Sequence, residues 1–127
     1  MRNHWKQDIG HSLIEFTIVS LILLLIFMGV FDFGRAVCIY SVISASAQEG
    51  ARYGIVHPTD IAGIESAVRS RAVGLDPSLM DIVISYPDSS TVEVRVSYDF
   101  VALSPLIGGL VGDDGQLTLT STARMAF

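Results

Sequence analysis

A single carboxylate, Glu15, lies inside the one long apolar run of this chain, five residues after Gly10. His11, Ser12, Leu13 and Ile14 stand between them, and Phe16 opens an uncharged stretch that ends at Phe31. A carboxylate carried into a bilayer charged and unpaired costs roughly 2.5 to 3.5 kcal/mol, so it calls for a partner or a task. The residues allow two readings. Glu15 can snorkel to the headgroups, since it lies about one helical turn from His11. Alternatively, cleavage after Gly10 makes Glu15 the fifth residue of a new chain, and the α-amino group of a neighbouring subunit neutralises it.

The remaining groups offer less chemistry. No serine or cysteine stands in a nucleophile context, and His57, the one histidine beyond the apolar run, adjoins Pro58 at an expected helix end, where the helix dipole favours it. These features argue against an enzyme, and no cofactor is expected. Asp113-Asp114-Gly115 has oxygen ligands suited to calcium but reads more simply as a solvated turn, so no metal site is assigned. Cys38 is the only cysteine. With no internal disulfide available, it is expected to be buried in a helix interface or to pair between subunits.

The elements that position these residues follow from periodicity. Leu13 to Phe31 spans about 28 Å as a helix, the thickness of a hydrocarbon core. A signal peptide would have a shorter apolar region and a small-residue cleavage site after it. Arg2 and Lys6 precede the run, whereas six basic and eleven acidic residues follow Phe31. That asymmetry predicts a cytoplasmic N-terminus and an exported remainder, and the acidic excess disfavours nucleic acid as a partner. Residues 1–10 read as a polar leader without an element of their own. A continuous helix is expected from about Ser12 to Val56, with Val37, Tyr40 or Ser41, Ser44, Ala47 and Ala51 on its packing face.

Pro58 breaks that helix, and a second is expected over Asp60 to Val73, capped by Thr59 and closed near Gly74. Period-two alternation then marks three strands. Ile82, Ile84 and Tyr86 share one face; Val92, Val94, Val96, Tyr98 and Phe100 face away from Thr91, Glu93, Arg95, Ser97 and Asp99. Leu117, Leu119, Ser121, Ala123 and Met125 complete the set. Pro87-Asp88-Ser89-Ser90 reads as a hairpin loop, and Val101 to Gly112 as an apolar, glycine-rich connection. The expected fold is α+β, a lollipop. It comprises a leader over 1–10, a long helix over 11–57 and a head over 58–127, in which one short helix and the exported half of the long one cover a three-stranded antiparallel sheet.

Three further groupings are spaced for contact. Asp32 and Arg35, and likewise Glu49 and Arg52, form i, i+3 pairs: either plain helix salt bridges or, for Asp32 and Arg35, a marker of the outer membrane boundary that pairs across subunits. Gly50 and Gly54 permit close approach of another helix or of the sheet.

Gly10 to Phe16, the apolar run, Asp32-Phe33-Gly34-Arg35 and Ala47-Gln48-Glu49-Gly50-Ala51-Arg52 together resemble the TadE-like family, pilin-like proteins of tight adherence pilus systems. The resemblance covers roughly the first 55 residues, and His11 departs from the small or hydrophobic residue usual after the glycine. It implies processing between Gly10 and His11 by a prepilin peptidase and a role for Glu15 and Phe16 in assembly. It also implies a minor pilin or pseudopilin whose partners are the inner membrane, like subunits and the pilus assembly platform. The alternative function is a membrane-tethered binding module of the envelope, for which the helix is only an anchor.

Overall fold

The computed structural model describes residues 4–103, 109 and 116–127, with side chains from residue 8. One helix, α1, runs without interruption over His4–Val56, 53 residues or about 80 Å. It begins eight residues before the expected Ser12, so much of the polar leader is helical. Nothing in it stops a helix: there is no proline, and Gly10 costs only about 1 kcal/mol, a small term within so long an element.

No residue between Asp8 and Phe31 is buried, whereas the C-terminal half of α1 packs along the head. The stripe that packs begins at Asp32 and continues through Ala36, Ile39, Ile43, Ser46, Ala47, Gly50, Ala51 and Gly54, in steps of three and four. Of the expected face, Ala47 and Ala51 lie in the core, but Val37 and Tyr40 stay 48% and 49% exposed, Ser41 is exposed and Ser44 half-buried. Two stripes of similar apolarity lie side by side here. The head takes the one carrying Gly50 and Gly54, because only glycine lets the sheet and the second helix come so close. A Cβ at Gly54 would stand 3.1 Å from Val92 Cγ2 and 3.2 Å from Ile64 Cδ1, and one at Gly50 would overlap Val68 Cγ2.

The second helix, α2, spans Ile61–Arg71 and buries Ile64 and Val68. Its N-cap is Asp60 rather than Thr59, with the Asp60 carboxylate accepting from Gly63 N at 3.0 Å. A cap carboxylate three residues before that amide satisfies a free donor of the first turn and favours the helix dipole. Gly74, just past the helix, holds a left-handed φ of 82°. A single 3₁₀ turn at Pro77–Leu79, capped by Asp76, then leads into the sheet.

β1 (Met80–Asp88), β2 (Thr91–Val101) and β3 (Gln116–Ala126) form an antiparallel meander in the order β1-β2-β3. The α+β lollipop expected from the sequence is the fold observed. Pro87 and Asp88 belong to β1, so the hairpin loop is shorter than expected: Ser89 and Ser90 alone turn the chain. The Asp88 carboxylate holds that turn by accepting from Ser90 N at 2.9 Å and Thr91 Oγ1 at 3.1 Å. Val92, Val94 and Val96 are fully buried and Tyr98 nearly so, packed with Ile43, Ala47 and Ala51 of α1. On the opposite face, where alternation placed it, Glu93 is nevertheless only 6% exposed. It is covered by ion pairs with Arg95 at 3.4 Å and with Arg124 across the β2/β3 register.

Candidate assembly interface along the long helix

Gly10 sits inside α1 with nothing within 4 Å of the Cβ it lacks. Packing within the chain therefore gives no reason for glycine at this position. His11, Glu15 and Phe16 are all exposed, Phe16 by 71%. Among the described residues nothing from this chain pairs with Glu15, which stands on bare helix one turn beyond His11. Above it, the large side chains from Ile18 to Phe27 are each at least half exposed wherever the helix carries Leu, Ile, Val or Phe, except Leu25. An 18-residue window of this helix has a mean hydropathy of 2.6 and none of it is buried, so by length and composition it can cross a bilayer.

Asp32, the first charged residue after the uncharged run, turns inward under the head. It is 1% exposed, and its Oδ1 accepts from Leu103 N at 3.1 Å and from Arg35 Nη1 at 3.4 Å. The Arg35 guanidinium in turn lies 5.0 Å from the centre of the Phe100 ring. The pair thus fastens the end of β2 to the helix exit. The sequence pointed to the i, i+3 spacing but not to Leu103, 71 residues away. Glu49 and Arg52 pair at 3.5 Å on the open side of α1, with side chains 44% and 68% exposed, while Gly50 between them faces the core. Such a surface pair contributes about 0.3 to 0.5 kcal/mol.

Cys38 is exposed rather than buried in this chain, at the edge of a groove that it lines with Phe31, Gly34, Arg35, Leu75 and Tyr98. His57 follows the last residue of α1 and stacks on Tyr53, with ring centres 4.8 Å apart. Asp113, Asp114 and Gly115 lie outside the described residues, as does most of the expected Val101 to Gly112 connection. Among the described residues no cluster of His, Cys, Asp or Glu is arranged to hold a metal.

At the far end of the head, the Tyr53 hydroxyl donates to Asp60 at 2.8 Å and that of Tyr86 to the Pro58 carbonyl. The Tyr53 bond, then the Gly63 amide, hold Asp60 below the usual carboxylate range, and the same bond raises Tyr53. Asp76 is lowered by the Ser78 hydroxyl and amide, and Asp88 first by the Ser90 amide. For the carboxylates, the folded pKa lies below the unfolded value of about 3.9. Their contribution is present above that pH and is lost as pH falls through the depressed values. For Tyr53 it is present below about 10 and lost as pH rises through the raised value. Thermal unfolding of the full chain in detergent is therefore expected to lose these contributions at its acid and alkaline ends. Asp60→Asn should soften the acid limb; an unchanged acid limb in that variant would contradict the assignment.

Residues 10–52 match the family model described as TadE-like protein, the resemblance read from the sequence over the same stretch. No curated protein and no solved structure was found to match the chain.

Proposed function

We propose, with the TadE-like match of residues 10–52 as premise, that this chain is a minor pilin or pseudopilin that takes part in assembling a tight adherence pilus. Its action is assembly and not catalysis. The supporting observation is a bare apolar surface that does not stop where a membrane would. It runs up the helix to Phe31 and continues beside the head through Val37 and Tyr40. An anchor needs only the first part; helices of like subunits can use both. Leaving the bilayer uncovers side chains worth roughly 1.5 to 3 kcal/mol each unless neighbouring helices cover them. In this account the N-terminus is cytoplasmic, the helix crosses the inner membrane once, and the head is exported. A prepilin peptidase cuts between Gly10 and His11, and Glu15 sets axial register against the new amine of a neighbour.

A membrane-tethered binding module is the second reading. It draws on the exposed cleft at the far end of the head, lined by Pro58, Ile61, Tyr86, Ser89 and Phe127. The two part at Gly10. Replacing Gly10 by Ala or a bulkier residue leaves the fold untouched, because the space around it is open. In cells it should nevertheless leave a slower-migrating precursor in the inner membrane. Equal migration of wild type and variant would favour the tethered module.

A further inference from the structure

We propose that the membrane-proximal end of the head is itself seated in the outer leaflet, with Leu103 among the acyl chains. The proposal rests on the membrane reading above and adds a second lipid contact to the spanning helix. Its basis is the height of Leu103. That residue is 61% exposed and lines one shallow apolar depression with Phe27, Met28 and Phe31, all members of the apolar run. If Leu13 to Phe31 fills the hydrocarbon core, a side chain lying against Phe27 is at the depth of lipid tails and not of water.

The backbone chemistry fits such a place. A peptide N–H in hydrocarbon must be paired within the protein, and that of Leu103 donates to the buried Asp32 carboxylate at 3.1 Å. The charge so placed is answered by Arg35, whose side chain is 36% exposed and can reach the headgroup layer. Around this level the head presents further exposed apolar side chains, Val101 at 43% and Leu117 at 36%, and Phe33 on the helix is 68% exposed. Asp99, near the same end of β2, accepts from Thr118 Oγ1 at 3.0 Å. Continuity with the spanning surface marks lipid as the occupant. The helix leaves no stalk between the two, since Asp32, the residue after the run, is already packed under the head.

The test uses the full chain in lipid vesicles. Trp5, the only tryptophan, is replaced by Phe, and single reporters are introduced as Leu103→Trp, Leu117→Trp, Ile22→Trp and Val56→Trp. Lipids brominated on their acyl chains should quench Leu103→Trp and shift its emission to the blue, with Leu117→Trp showing the same trend. Val56→Trp, about 36 Å up the helix from Asp32, should respond only to acrylamide in the water. Ile22→Trp should be quenched most by bromine deep in the chains. If Ile22→Trp is quenched but Leu103→Trp and Leu117→Trp behave like Val56→Trp, the head stands off the bilayer and the proposal fails. A blue-shifted Leu103→Trp that bromine does not touch would mean that protein covers the depression, and would overturn it equally. Failure of Ile22→Trp to respond to lipid would instead remove the membrane reading on which the proposal rests.

Discussion

Glu15→Ala is expected to abolish pilus production while the protein remains in the inner membrane and is still processed. The substitution removes a carboxylate whose insertion costs roughly 2.5 to 3.5 kcal/mol, so simple membrane retention should if anything improve. Glu15 is exposed on bare helix, and among the described residues nothing from this chain pairs with it. Its loss therefore leaves the head and the helix as they were. What disappears is the group that answers a neighbour's amine and fixes axial register. Glu15→Gln should fail in the same way, since it keeps the shape and loses the charge. Sheared surface fractions and adherence assays read the outcome, and normal pili in Glu15→Ala cells would move the tethered-module reading ahead.

The second large effect is on stability. Val94 is fully buried against α1 and α2, so Val94→Asp places an unpaired charge in the core at a cost of roughly 3 to 5 kcal/mol. Arg95, its neighbour in sequence, lies on the other face with a side chain 50% exposed. Arg95→Asp loses one ion pair to Glu93 and sets a like charge beside it, a cost of about 1 kcal/mol. For a head of this size the difference of about 2 to 4 kcal/mol corresponds to a gap on the order of 8 to 32 °C in unfolding midpoint. Thermal unfolding of the full chain in detergent measures it; equal losses would contradict the strand register.

That register was readable because one residue in two along β2 is apolar, and a slip by one would have put Val92, Val94 and Val96 in water. The long helix was equally plain, but its start and its packing face were not. No proline separates the leader from the apolar run, and the helix runs straight through Ser12, so composition suggested a boundary that hydrogen bonding ignores. Val37 and Tyr40 fit a helical stripe as well as Ile39 and Ile43 do, and only the glycines at positions 50 and 54 tell which side the head approaches. The contact between Asp32 and Leu103 was hidden for a different reason: it joins parts of the chain that no local period relates. Glu93 looked solvent-facing by alternation, which is correct for its side of the sheet, yet Arg95 and Arg124 cover it there. The isolated Glu15 was visible at once, because a charge inside an apolar run stands out from sequence alone.

The assembly account depends first on a new N-terminus, because the amine that would neutralise Glu15 exists only after cleavage. Intact-mass spectrometry of the wild-type chain isolated from the inner membrane of its own host tests this directly. The mature protein is expected to begin at His11, with residues 1–10 removed. A chain recovered uniformly with those residues still attached, from cells that are making pili, would contradict it.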